Sequence, residues 1–326
     1  MTKVYKSITE LVGNTPLLEL TNFEKNNHLE AKIFGKLEYF NATGSVKDRI
    51  AIQMIEQAEK EGKIKPGDTI LDNTSGNTGI ALAAFAGAKG YKVKIYLEDG
   101  VTEERKTILR AYGADLHPFS DIPGYLEAVQ KGEITNMASM LRLIENYANS
   151  IGAFYIDQME NKENPNIHYL TTGPEIWDAL DGKVDIFVTA VGTGGTLNGV
   201  GKYLKEKNPD VQIIPIQPAP ENVLSPQNPD ANIIDGTMYF GGLPKEMQAQ
   251  FVAEAYYDEV IDIRTEEAYE VARELASTEG LFLGTSSAAV ILAAKQIALR
   301  PENKGKNIVT VLADNGYKYL SSNIYK

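Results

Sequence analysis

The sequence predicts an α/β protein organised around mainly parallel sheets and divided into two domains. Three observations carry that expectation. Apolar, β-branched runs alternate with helical patterns along nearly the whole chain, as β-α units require. Strands such as "IFVTAV" are apolar without interruption, which suits a sheet covered on both faces rather than one. A length of 326 residues exceeds one small core and fits two domains of ordinary size.

In chain order, a strand at 31–38 ("AKIFGKLE") leads to a helix at 46–62, where Ile50, Met54, Ile55 and Ala58 fall on one stripe. A strand at 69–74 ("TILDNT") runs into an alanine-rich helix at 78–89, and one at 92–98 ("KVKIYLE") into a helix at 103–112. Residues 117–150 open with Pro and Gly turns and then run helical. Next come a strand at 153–157 ("AFYID") with a helix at 166–181, and a strand at 185–192 ("DIFVTAVG") with a helix at 196–207. The strand at 212–218 ("QIIPIQP") opens onto 218–245, a Pro/Asn/Gly-rich stretch with little regular structure expected; a loop that long is usually functional. Helices at 265–278 and 285–299 and a strand at 307–314 ("NIVTVLAD") complete the chain, with no repeat period and nothing of low complexity.

Composition narrows the function. Hydrophobic content of 43% with 23% charged residues is that of a globular protein. No segment approaches ~18 consecutive apolar residues, so no membrane span is expected. The opening "MTKVYKSITELVGNTPLLEL" lacks the apolar core and cleavage site of a leader, which makes the cytoplasm the expected location. The net charge is −12 with the two signs interleaved, and that argues against nucleic acid, which needs a basic footprint. With no cysteine there is no disulfide, no thiolate nucleophile and no Cys-ligated metal. The three histidines, His28, His117 and His168, have no metal-ligand spacing, so neither a metal site nor a histidine triad is expected. Lysine is then the leading acid–base candidate.

One lysine stands out. In "NATGSVKDRI" (41–50), Ser45 is a good N-cap and Asp48, three places on, makes a capping-box-like pair. Lys47 falls in the first helical turn, where the helix dipole disfavours a cation by roughly 0.3–1 kcal/mol. A solvated surface lysine tolerates that cost. A lysine that works as an uncharged amine nucleophile has a use for it.

Three glycine- and hydroxyl-rich stretches read as strand-to-helix turns. "VGTGGT" ends an apolar strand and opens a helix, so glycine amides, two threonine hydroxyls and a helix N-terminus converge as a phosphate cradle does. Its spacing is neither that of a P-loop nor GxGxxG, and an ordinary turn is as good a reading of it alone. "TSGNTG" gathers similar groups and suits an anion such as a carboxylate. "GTSS" before the helix at 285–299 reads in isolation as a simple N-cap by Thr285 or Ser286. Jointly, in a parallel α/β fold where such turns gather at the carboxyl ends of strands, a phosphate cradle and a nucleophilic lysine suggest pyridoxal phosphate (PLP).

The stretches "GNTPLLEL", "KLEYFNATGSVKDRIA", "TSGNTGIALA", "TTGPEIWDALDGKVDIFVTAVGTGGTLNGVGKYLK" and "EGLFLGTSSAA" resemble the O-acetylserine sulfhydrylase (cysteine synthase) family, within the wider group of PLP enzymes that includes cystathionine β-synthase. The resemblance covers nearly the whole chain in the expected order. It implies PLP fold type II: two three-layer α/β domains with the cofactor between them, a smaller one at 41–160 and a larger one formed by 1–40 and 161–326. By motif position Lys47 is the Schiff-base lysine and Asn77 bonds the ring hydroxyl. Gly192, Thr193, Gly194, Gly195 and Thr196 hold the phosphate, and Ser286 faces the pyridine nitrogen. Thr74, Ser75, Thr78 and Gln158 receive the substrate α-carboxylate. The implied reaction is β-replacement by way of an aminoacrylate, with Lys47 taking the α-proton.

The sequence departs from the family where the active-site mouth lies in its members. Asp72-Asn73 replaces the usual Glu-Pro or Glu-Ala, and Gln158-Met159 the usual Gln-Phe. Residues 234–244 read "IDGTMYFGGLP" in place of "QGIGAGFIP", adding Asp235 and Tyr239, and the segment around 119–150 is longer. A carboxylate at 235 can orient or deprotonate an attacking thiol or water, while a turn-capping aspartate before Gly236 explains it equally simply. The expected reaction is therefore O-acetylserine plus sulfide giving cysteine. The alternative starts from cysteine and releases sulfide, with water or a thiol as nucleophile. Serine/threonine dehydration fits the fold, but the "SVKDR" and "GTGGT" pairing is closer to the synthases. The resemblance also implies a homodimer and a site able to clamp the serine acetyltransferase C-terminus.

Overall fold

The computed structural model describes residues 4–74, 76–97, 101–134 and 136–326, with Glu246 described by its backbone only. Ser75, one of the expected carboxylate-binding residues, lies outside the described residues. Among those described the strands are β1 (Leu17–Glu19), β2 (Lys32–Leu37), β3 (Thr69–Asn73), β4 (Lys92–Leu97), β5 (Asp115–Pro118), β6 (Phe154–Tyr155), β7 (Ile186–Ala190), β8 (Gln212–Pro218), β9 (Ile261–Ile263) and β10 (Asn307–Leu312). No helix among the described residues is long and apolar enough to cross a membrane.

The contacts divide the chain into two compact units, one of Met1–Val12 with Lys47–Asn164, the other of Gly13–Val46 with Pro165–Lys326. The family resemblance implies domain boundaries at 41 and 160. Residues 41–46 instead count with the larger unit, because the Val46 amide donates to the Ala313 carbonyl at 2.8 Å and Ser45 bridges to Asp314. The short turn Ile8–Leu11 packs beside the Asn77–Ala88 helix, which takes the start of the chain into the smaller unit.

The larger unit holds a six-stranded sheet in the order β1-β2-β10-β7-β8-β9, parallel except for the antiparallel β1–β2 pair. Successive strand residues go to opposite cores, as the two-residue period demands. Ile33, Ile186, Val188, Ile214 and Ile308 join one buried cluster, and Phe34, Phe187, Ile213 and Val309 join another. Both faces are thus covered, which is why these strands read as unbroken apolar runs. The Thr285–Ala298 helix lies in the first cluster and is buried almost all round, matching its alanine-rich sequence.

The smaller unit is built on four parallel strands in the order β5-β4-β3-β6. Its Lys47–Lys60 helix buries the expected stripe of Ile50, Met54, Ile55 and Ala58 and packs on the Asn77–Ala88 helix. On this sheet Leu71 and Tyr96 join Phe119, Ile144 and Ala148 in a further cluster, so the Met137–Ser150 helix has a core to cover.

Three expectations change. Strands β1, β5 and β9 escape the sequence pattern because three or four residues carry no usable period. The helix expected at 166–181 is broken into Glu163–Ile167, a π-turn His168–Thr172 and Gly173–Ala179, with Pro174, which has no N–H to donate, at the junction. The turn before Ser286 follows no strand, since a single bridge, Leu283 to Asn315, precedes Gly284.

Candidate active site

Lys47 is the first residue of its helix, so the amine sits at the positive end of the dipole. The turn that delivers it is fixed by Asn41, which is buried. Its amide nitrogen donates to the Glu38 carbonyl at 2.8 Å, to a Glu38 carboxylate oxygen at 2.8 Å and to the Ser45 carbonyl at 3.1 Å. The Asn41 side-chain oxygen accepts from the Gly13 amide at 2.8 Å. Gly44 supplies the left-handed residue that closes the turn, at φ 84°. Lys47 keeps some accessible surface, yet protein rather than bulk water surrounds its charge, and this desolvation pulls the amine down to about 8. A lysine so placed is a proton acceptor within reach of neutral pH.

After β3, Gly76 caps the helix that begins at Asn77, so the expected ring-hydroxyl partner occupies the first helical position. Thr74 and Thr78 are buried, and the Thr78 hydroxyl donates to the Gln158 side-chain oxygen at 2.6 Å. The sequence placed these three in one role from motif position, and the structure brings Thr78 and Gln158 into contact. Below them lies a group the motif reading passed over. Asp72 is fully buried, and neither of its carboxylate oxygens makes a hydrogen bond among the described residues. Burial first, and the nearby Asp157 carboxylate second, push Asp72 up to about 8, with the Asn73 amide pulling weakly the other way. Burial also raises Asp157 to about 6, although it accepts the Met159 and Glu160 amides at 3.1 and 3.2 Å. At neutral pH the Asp72 carboxyl is therefore held largely protonated.

After β7 the chain forms a cradle shaped by close main-chain approach. A Cβ on Gly192 would stand 2.7 Å from the Gly236 carbonyl oxygen, and one on Gly194 would stand 2.9 Å from the Val252 amide nitrogen. Gly194 also has φ 87° and caps the Gly195–Lys207 helix, so both space and conformation require glycine there. Thr193 is buried, with its hydroxyl 3.4 Å from the Gly195 amide. Thr196 lies 3.3 Å from the His168 ring nitrogen, and His168 in turn faces Thr172 at 3.0 Å. The π-turn thus sets a histidine behind a cradle residue, a contact that a regular helical period did not reveal.

Ser286 is buried in the first turn of the Thr285–Ala298 helix, whose cap is Gly284 rather than a hydroxyl. The 234–244 segment lies against both of these elements in the larger unit. Its Gly236 carbonyl meets Gly192, its Met238 amide donates to the Val191 carbonyl at 2.7 Å, and its Asp235 carbonyl accepts from Thr285 at 3.5 Å. Burial first, with Asp235 and Glu266 adding to it, pushes the Tyr269 phenol of the Thr265–Thr278 helix up to about 12.

In the larger unit a glycine cradle that any Cβ would fill, at a helix N-terminus, fits a phosphate, and in the smaller unit a lysine amine lowered to about 8 fits an aldehyde, the two groups that PLP carries. The model of the family described as "Pyridoxal-phosphate dependent enzyme" matches residues 8–314, and the chain belongs to that family, with the fold type II architecture of two α/β units. More particularly, it is 42% identical over 324 residues to a cysteine synthase of Staphylococcus aureus, covering 99% of this chain and 98% of that one. A crystal structure of cysteine synthase from Entamoeba histolytica superposes with a TM-score of 0.81 at 37% identity, covering 99% of this chain and 91% of the other. A hydrogen sulfide-producing enzyme from Fusobacterium nucleatum superposes with a TM-score of 0.80 at 35% identity, over 98% and 99% of the two chains.

Proposed function

We propose that the protein is a cysteine synthase that replaces the acetate of O-acetyl-L-serine with sulfide. The observation that carries the reading is Lys47: an amine at a helix N-terminus, lowered to about 8, in the "SVKDR" stretch. The cofactor supplies the electron sink that lets the α-proton leave and the β-substituent exchange. In this reading Lys47 anchors the cofactor, takes the Cα proton of the bound amino acid and returns it after sulfide has added. Gly192, Thr193, Gly194, Gly195 and Thr196 hold the phosphate, and Asn77 the ring hydroxyl. Ser286 meets the ring nitrogen without forcing a proton onto it, which favours β-exchange over transamination. Thr74, Ser75, Thr78 and Gln158 accept the α-carboxylate. Acetate leaves and hydrosulfide forms the new C–S bond, so the β-carbon keeps its oxidation state. The reading carries with it a homodimer in the cytoplasm and a site open to the serine acetyltransferase C-terminus.

Lysine-bound cofactor absorbs near ~410 nm. The expected outcome is a purified protein with that band, bleached by O-acetylserine and restored as sulfide is consumed. Lys47→Ala loses the band and at least ~10³-fold in turnover. A band that survives in Lys47→Ala overturns the assignment. A second reading, sulfide release from cysteine, is favoured by the 234–244 segment bearing Asp235 and by the likeness to the sulfide-producing neighbour. Supplying cysteine alone separates the two: no sulfide supports the first, sulfide with serine or lanthionine supports the second, and pyruvate with ammonia and sulfide as the main products replaces both with β-elimination.

A further inference from the structure

The loop that follows β10 touches both elements on which Lys47 and Ser286 depend. On one side the Ala313 carbonyl accepts the Val46 amide at 2.8 Å, Asp314 bridges to Ser45, and the Lys318 ammonium reaches the Gly44 carbonyl at 3.4 Å. These contacts hold the last residues before Lys47. On the other side the Asp314 carbonyl accepts the Ser287 hydroxyl at 3.1 Å and the Gly284 amide at 3.2 Å, and the Ser287 hydroxyl lies 3.3 Å from the Asp314 amide. These hold the first turn that carries Ser286. Asp314 is fully buried, and one of its carboxylate oxygens accepts the Tyr319 hydroxyl at 2.7 Å. Its other oxygen occupies the space a Gly284 Cβ would need, so glycine at 284 and aspartate at 314 fit one another.

We infer that Asp314, oriented by Tyr319, is a positioning residue that sets the approach of both Lys47 and Ser286 to the cofactor. The inference rests on the roles proposed above for those two residues. The main chain of Asp314 holds both segments, and the Tyr319 phenol anchors its buried side chain, so the residue has little freedom. The two short segments it braces therefore move together or not at all. Loosening the clamp shifts the amine and the ring partner.

The test uses the PLP-loaded protein with Tyr319→Phe, which removes one oxygen, and Asp314→Asn, whose amide oxygen still accepts the Tyr319 hydroxyl. Three quantities are read: the pH titration of the visible band, the rate of cofactor release on dilution, and the melting temperature of the cofactor-free protein. Tyr319→Phe is expected to release cofactor about tenfold faster, the loss of one buried hydrogen bond. Its band titration should move by about half a pH unit or more, since one pH unit corresponds to a differential interaction of that same size. Asp314→Asn should stay nearer the wild type on both counts. If Tyr319→Phe lowers the melting temperature but keeps wild-type titration and release, the clamp is only a structural brace and the inference is wrong. Should Tyr319→Phe fail to fold, Asp314→Ala takes its place with the same two results deciding. A wild-type band that does not depend on Lys47 removes the reading of the site, and this inference with it.

Discussion

The turns after β3 and after β7 look alike in sequence, yet they are held by different physics. After β7 the constraint is steric: Gly192 and Gly194 lie so close to main chain of other segments that no side chain fits. After β3 the corresponding Gly76 has open space around it, and what marks the region is charge, with Asp72 buried beside Asp157 and without a side-chain partner among the described residues. One turn is a rigid mould. The other is a small field whose strength depends on protonation.

That contrast is easiest to break at Gly194. Gly194→Ala must adopt φ near 87° and displace Val252, and it is expected to cost ~2–4 kcal/mol in chemical denaturation, with cofactor retention falling in parallel. A variant as stable as the wild type would show that the mould is soft.

The next effect belongs to Asp72. Its native value of about 8 lies above the ordinary carboxylate value, so the folded protein binds the extra proton between roughly pH 4 and 8. Stability attributable to that proton is complete below this window and is lost as pH rises through it; the rise of Asp157 to about 6 works in the same direction. Asp72→Asn should flatten the fall and leave the variant more stable than wild type at pH 8.5, by on the order of 1–3 kcal/mol after relaxation. Denaturation midpoints at pH 5 and 8.5 check it, and equal slopes for the two proteins would mean that Asp72 is solvated or paired.

The smallest effect is expected at Gly76. A methyl group added there would meet nothing within 4 Å, and φ is −124°, so Gly76→Ala should change stability by no more than ~0.5 kcal/mol. A thermal shift as large as that of Gly194→Ala would erase the distinction between the turns.

The same contrast explains what was legible in the sequence. Lys47 and the cradle could be read because glycine spacing, caps and dipoles act within a few residues of one another. The long strands and helices were legible for the same reason, since a run like "IFVTAV" carries its burial in its own composition. Asp72 was visible only as a departure from a motif: whether a carboxylate has a partner is decided by how β3 and β6 pack. The approach of Gly236 to Gly192 and of His168 to Thr196 joins segments far apart in the chain. The break at His168–Thr172 hid within an otherwise continuous helical pattern, and only Pro174 hinted at it.

The 234–244 segment is anchored in the larger unit by the buried Ile234 and Phe240 side chains, and it meets the cradle strand and the Thr285–Ala298 helix through main-chain atoms: the Gly236 and Asp235 carbonyls and the Met238 amide. Backbone attachment is indifferent to what the side chains are. Substitutions of the side chains at 235 and 239 therefore leave the Gly236 carbonyl and the Met238 amide free to keep the segment against the cradle strand.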